Sequence, residues 1–174
     1  MSCSGEVVEK EPELIQIRPS IVKQLKKAKY GVADHSTVGL CHWTKKSFRG
    51  EGTCYKHKFY GISTHSCMEF SPAGMYCENR CVYCWRPMEF YDSMEMQPQN
   101  VAEPEEIMTK LMAERKKLIM GHYGDPNQDK KKLDESLLPN HYAISLSGEP
   151  TMYPKLPELI KYLKLSLIHI SEPT

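Results

Sequence analysis

Three cysteines, Cys77, Cys81 and Cys84, stand in a CxxxCxxC spacing inside the stretch CMEFSPAGMYCENRCVYCWR. A loop this tight gathers three thiolates around one small object. No other feature constrains the chain as much, because the flanking backbone must deliver that loop to a place where the object fits. No fourth ligand follows, since Cys84 runs into Trp85, Arg86 and Pro87. A site closed by four protein ligands serves structure, whereas one with an open position does chemistry. Four-iron clusters are held by cysteine thiolates and normally take four. Three therefore leave one iron free for a small molecule. Zinc is the competing reading, because CxxC pairs are common in zinc sites.

Seven cysteines without a secretory signal point to metal or redox chemistry rather than a disulfide scaffold. The opening MSCSGEVVEKEPE is acidic and lacks an apolar core, so it does not read as a signal peptide. No apolar run approaches the ~18 residues of a membrane span. The expected location is the cytoplasm, with no membrane partner. The net charge of +1 hides an asymmetry: residues 1–15 carry −3 and residues 16–58 carry +8. A concentrated basic block fits a phosphate-rich partner, and a solvated surface fits it equally well.

Residues 1–15 read as a flexible acidic arm. A helix is predicted from Pro19 or Ser20 to Lys29, with Ile21, Leu25 and Ala28 as its apolar edge and Gly31 past its end. Residues 34–66 show little helical periodicity. Cys41 and Cys54 fall there and Cys67 follows, thirteen residues apart twice over. Buried thiols are one reading of these three. Their polar neighbours, CHWTKKS and CYKHK, favour a second metal centre.

Met68–Ser71 reads as a strand feeding the Cys77 loop. A helix is predicted over Pro104–Met120, with Ile107, Met108, Leu111, Met112, Ala113 and Leu118 as its apolar face. Residues 121–140 read as a loop, and His141–Leu146 as a strand ending in Ser147-Gly148-Glu149-Pro150. Pro154 or Pro157 opens a last helix through Ile160 and Leu163. This alternation predicts an α/β fold with a parallel sheet, compatible with a barrel. A complete (β/α) barrel needs ~250 residues, and about two βα units are visible. The last ten residues, LSLIHISEPT, fit poorly with what precedes them. The expectation is a C-terminally truncated chain whose residues 165–174 are a non-native tail.

CxxxCxxC after a strand, with Tyr83 before the last cysteine and Ser-Gly-Glu-Pro after the next strand, resembles the radical S-adenosylmethionine superfamily. The register of Cys41, Cys54, Cys67, Cys77, Cys81 and Cys84, with CHWTKKS, CYKHKFYGI, CVYCWRPMEF and ISLSGEPT around them, narrows the likeness. It is similar to the tRNA 4-demethylwyosine synthase family over about residues 20–163. The resemblance implies an incomplete (β/α) partial barrel over 67–164, behind a basic N-terminal extension over 16–66 that carries second-cluster cysteines.

The resemblance also implies two [4Fe–4S] clusters, one on Cys77, Cys81 and Cys84 and one on Cys41, Cys54 and Cys67, each with an open iron. Tyr83, Ser147, Gly148, Glu149 and Pro150 would bind S-adenosylmethionine at the first. One electron would cleave the sulfonium, and the adenosyl radical would take hydrogen from the N-methyl group of N1-methylguanosine beside the anticodon of tRNA-Phe. Pyruvate would donate two carbons, making the enzyme a radical carbon–carbon lyase. Lys56 matches the family lysine proposed to engage pyruvate, either as a Schiff base or by pairing with the carboxylate. Lys45, Lys46, Arg49 and Lys58 become phosphate contacts for the tRNA, which makes binding salt-dependent. Trp43, Tyr55 or Trp85 could stack on a base or pack in the core. The electron donor would be external, of flavodoxin or ferredoxin type. A zinc-binding, tRNA-interacting module is a second reading, but it leaves Ser-Gly-Glu-Pro unexplained. A plain electron carrier is a third, and predicts clusters that ignore S-adenosylmethionine.

Overall fold

The computed structural model describes residues 13–84, 86, 88–92 and 95–166. The first twelve residues, Trp85 and residues 167–174 lie outside them. Of the expected acidic arm, Ile15 is already buried, and its amide donates to the Asn100 carbonyl (2.8 Å).

One mixed four-stranded sheet organises the chain, in the order β1 (Gly31–Ala33), β2 (Ser36–Gly39), β3 (Cys67–Ser71), β4 (His141–Ile144). β1–β2 and β2–β3 are antiparallel, and only β3–β4 is parallel, pairing Cys67 with His141 through Phe70 with Ile144. The sheet is therefore not the purely parallel one expected, because a hairpin lies ahead of the βα unit. That hairpin turns through Asp34 and His35 without glycine, and Asp34 takes φ 50°. Asp is among the few residues that tolerate such a backbone. His35 is fully buried and uses both ring nitrogens: Nε2 accepts from the Ala102 amide (3.0 Å), so Nδ1 donates to the Pro72 carbonyl (2.6 Å). Burial pushes its pKa down, consistent with a neutral structural tie.

Helices α1 (Pro19–Lys27) and α4 (Pro104–Met120) form where capping and periodicity place them, each opened by proline. α4 provides the crossover between β3 and β4. Its buried stripe is Ile107, Met108, Leu111, Arg115 and Ile119, whereas Ala113 is exposed. Ala28 of the expected α1 edge is exposed too. The main core joins Ile107, Met108 and Leu111 of that stripe to Val38, Met68 and Phe70 of the sheet and to Leu159 and Leu163 of α6 (Leu156–Ser166), which begins between the two prolines proposed to open it.

Three short helices stand where loops were expected. α2 (His42–Phe48) and α3 (Tyr55–Tyr60) occupy 34–66, and α5 (Lys130–Ser136) interrupts 121–140. Cys41 and Cys54 occupy the N-cap positions of α2 and α3, and only Cys41 caps through its side chain; cysteine is a residue type that does not signal a helix start. α5 is capped by Asp129, whose side chain accepts from the Lys132 amide (3.2 Å), and anchored by buried Leu133. Leu133 belongs to a second cluster with Leu40, Phe48 and Ile119, which fixes α2 and α5 to the end of α4.

Candidate metal and cofactor site

Parallel pairing makes β3 and β4 end side by side, so the two loops that follow them must meet. The loop after β3 bends twice through left-handed backbone, at Met75 (φ 70°) and Arg80 (φ 43°), conformations non-glycine residues rarely adopt. Its base is fixed by the Cys77 amide donating to the Asp92 carbonyl (3.2 Å) and the Asp92 amide to the Met75 carbonyl (2.9 Å). The loop after β4 docks onto this base: the Glu149 amide donates to the Tyr76 carbonyl (2.8 Å). Gly148 has φ 70°, and a Cβ there would fall 1.9 Å from the Ala73 carbonyl oxygen and 2.7 Å from that of Tyr76. Only glycine fits so close an approach.

Between the loops lies a cavity of about 220 Å³ lined by Cys77, Cys81, Cys84, Tyr83, Ser147, Gly148 and Glu149. Pro150 is not in the wall; it opens the turn Pro150–Met152 behind it. The Glu149 carboxylate is held on both oxygens, by Asn79 Nδ2 (3.1 Å) on one and by the amide and hydroxyl of Thr151 (3.1 and 2.8 Å) on the other. The Ser147 hydroxyl is turned to Thr37 Oγ1 on β2 (2.9 Å), which anchors the loop. Tyr83 stands at the rim, 87% exposed. Tyr91, which the sequence did not single out, receives the Gly148 amide on its hydroxyl (3.3 Å), and burial raises its pKa.

Among the described residues, no three His, Cys, Asp or Glu side chains converge closely enough to hold one metal ion. A cluster makes a different demand, since each iron takes its own thiolate and the ligands stand farther apart. Three soft thiols on one wall, with no fourth beside them among the described residues, are a donor set that fits iron–sulfur chemistry with an open position.

The other three cysteines are placed differently. Cys41 caps α2, its Sγ accepting from the Thr44 amide (3.4 Å), Cys54 stands at the N-cap position of α3, and Cys67 opens β3. Cys67 interacts electrostatically with Cys41, Arg115 and Lys56, and burial pushes its thiol up to about 11. Lys56, in the first turn of α3, is thus brought towards the start of β3. Arg115 was not singled out from the sequence, although it falls on the four-residue stripe Ile107, Leu111, Arg115, Ile119, where a charged residue is out of pattern.

Lys45 on α2, Arg49 at its end and Lys58 on α3 are exposed, and Lys46 is half-buried, giving a basic edge. Arg49 is paired with Asp125 (3.5 Å), and Lys46 lies over the ring of Trp43 (5.4 Å from its centre). Trp43 and Tyr55 are both exposed, as are Phe59 and Tyr60, aromatics that no sequence pattern singles out.

No family profile matches the chain. Individual proteins do. The S-adenosyl-L-methionine-dependent tRNA 4-demethylwyosine synthase of Pyrococcus abyssi is 45% identical over 130 residues, 75% of this chain and 38% of that protein. The chain is a relative of the tRNA 4-demethylwyosine synthases. The synthase of Methanocaldococcus jannaschii is 42% identical over 149 residues, covering 83% of this chain and 48% of that one. A solved structure of TYW1 with a lysine–pyruvate adduct bound superposes with TM-score 0.75 at 40% identity, over 87% of this chain and 49% of that one. The chain thus spans less than half the length of these synthases.

Proposed function

We propose that this chain is the part of a tRNA-modifying radical S-adenosylmethionine enzyme in which the metal and pyruvate chemistry resides, its mixed sheet being the beginning of a partial (β/α) barrel. The reaction is condensation of N1-methylguanosine, beside the anticodon of tRNA-Phe, with two carbons of pyruvate to give 4-demethylwyosine. An external flavodoxin or ferredoxin supplies electrons, in the cytoplasm. The carrying observation is the single cavity on which Cys77, Cys81, Cys84 and the Ser147–Glu149 turn converge, with Gly148 admitting no side chain.

A [4Fe–4S] cluster on those three cysteines, with S-adenosylmethionine, would supply one-electron cleavage of the sulfonium and hydrogen removal from the N-methyl carbon. The chain's own residues orient that chemistry. Glu149, fixed by three donors, offers a stationary negative charge for an ammonium group. Tyr91 and Thr37 hold the turn that carries it. Cys41, Cys54 and Cys67 hold a second cluster, beside which Lys56 engages pyruvate. The lysine amine adds to the ketone carbon and water leaves, giving an imine that ties down the cosubstrate. Lys45, Lys46, Arg49 and Lys58 meet RNA phosphates.

Two measurements test this reading. Anaerobic loading with iron and sulfide should give a paramagnetic spectrum that changes when S-adenosylmethionine is added. Zinc without iron, or a spectrum indifferent to the cofactor, overturns the radical-enzyme assignment. Borohydride added to the protein with pyruvate should fix a covalent mass on the Lys56 peptide. Lys56→Ala should lose that mass, and product from methylated tRNA, while keeping iron at both sites; full activity in the variant removes Lys56 from the mechanism.

A further inference from the structure

Arg115 is the most anomalous buried side chain in the protein. It is 1% exposed, yet of its guanidinium nitrogens only Nη2 has a partner, the Ser136 carbonyl (3.2 Å); Nε and Nη1 are buried without one. A guanidinium carries five donors and stays charged in proteins. An uncompensated buried charge costs several kcal/mol, so natural sequences seldom leave one on an apolar stripe. Among the described residues no carboxylate pairs with it. The groups that face it are Cys67, Tyr142 and Cys41. The connection is short: Ser136, which accepts from Arg115, donates its hydroxyl to the His65 carbonyl (2.7 Å), two residues before Cys67.

We infer that Arg115 is a built-in counter-charge for the anion formed when Cys41, Cys54 and Cys67 bind their cluster as thiolates. The inference rests on the second-cluster reading above. In the metal-free protein Nε and Nη1 of Arg115 have no partner and Nη2 meets only a backbone carbonyl, so the charge is unmatched. Metal loading exchanges thiol protons for iron and places net negative charge opposite the guanidinium. Arg115 thus costs stability in the empty protein and repays it on loading. A fixed positive charge also favours the reduced cluster, since net charge nearby is one of the levers on cluster potential. Arg115 is a positioning residue that acts on the cluster through charge.

A purely structural Arg115, tying α4 to α5 through Ser136, predicts a lower melting temperature in Arg115→Met and an unchanged cluster potential. The test uses the chain with Cys77→Ala, Cys81→Ala and Cys84→Ala, so that only the second site loads, and compares Arg115 with Arg115→Met and Arg115→Lys. The metal-free Arg115→Met protein should melt no lower than its parent, since apolar replacement of a buried charge is often neutral or stabilising. Its loaded cluster should be harder to reduce by about tenfold in the one-electron equilibrium, about 59 mV in midpoint potential. Arg115→Lys, keeping the charge, should recover most of that shift. An unchanged potential in Arg115→Met overturns the inference and leaves the second cluster standing. If Arg115→Met loads no iron, Arg115→Lys decides: loading near the parent level upholds the counter-charge, and failure to load overturns it. No iron on the second site even with Arg115 intact overturns the cluster reading and the inference together.

Discussion

The two cysteine groups stand on opposite kinds of scaffold. Cys77, Cys81 and Cys84 ride on a loop whose shape comes from backbone: two left-handed residues, a short parallel bridge of Tyr76 to Asp92, and a glycine-only contact with the next loop. Cys41, Cys54 and Cys67 instead sit at the ends of regular elements, two helix N-cap positions and a strand start, far apart in sequence. The first arrangement keeps its cavity open, with Val82 and Tyr83 standing out in solvent. The second is backed by a buried cation. A loop site suits a small ligand that must come and go. A group stapled across three elements depends on the whole fold, and Lys56 stands in the first turn of the helix that follows Cys54.

The largest expected effect separates the two. Gly148→Ala places a carbon 1.9 Å from a backbone oxygen, at a position where positive φ is strained as well. The loops must part, at a cost of roughly 3 kcal/mol or more by analogy with severe backbone lesions. Denaturant unfolding should show that loss, and iron analysis should show loading only at Cys41, Cys54 and Cys67. Gly124→Ala, with nothing within 4 Å of the new methyl, should change neither. Equal loss of iron from both groups in Gly148→Ala would mean that the sites are not independently supported.

Next in size is the basic edge, which lies on the two helices of the second group only. Lys45→Ala, Lys46→Ala and Lys58→Ala together should weaken tRNA binding. They should also flatten the dependence of log affinity on log salt by roughly two to three, about one for each phosphate no longer neutralised. Cluster loading should be untouched. A salt slope equal to that of the parent would detach α2 and α3 from the RNA.

How much of this could be read beforehand follows from what makes each element form. α1 and α4 carry their stop signals in sequence, proline at one end and glycine past the other, and both appear where those signals put them. The strand pair β3–β4 was legible from two apolar runs. The β1–β2 hairpin was not, because its strands of three and four residues are too short for alternation to register and its turn lacks glycine. α2, α3 and α5 span six or seven residues each, and α2 and α5 are held by caps and one or two anchors. For α2 and α5 tertiary packing of those anchors, not periodicity, supplies the stability, whereas α3 has neither a side-chain cap bond nor a buried residue. The convergence of the Cys77 loop with Ser147–Glu149 was expected from the order of motifs. Tyr91 and Thr37 were not, since a hydroxyl that braces a loop leaves no mark in one sequence. Arg115 did leave one, as a charge on an apolar stripe.

The smallest expected effect tests the shared ground under both sites, the β1–β2 turn. Burial alone would raise the pKa of Asp34, but hydrogen bonds from Lys110 (2.7 Å) and Gln16 (3.0 Å) outweigh it, and the net shift is downward. A lowered folded pKa means that the unfolded chain binds protons first as pH falls. The contribution is therefore complete above the unfolded value of 3.8 and is lost as pH drops through the folded one. Lys110 is 41% exposed, so screening keeps the pair to about 1 kcal/mol or less. Asp34→Asn tolerates the left-handed backbone equally well. It should cost about that much at pH 7, measured by denaturant unfolding, and progressively less as pH falls through the folded pKa and the native carboxyl takes up its proton. His35 beside it reaches Pro72 at the head of the Cys77 loop, so a turn that merely loses charge should leave iron at both sites unchanged. If iron falls at the Cys77 group alone, the hairpin supports the loop site specifically, and the backbone-built arrangement is more dependent on the distant fold than its local bonds indicate.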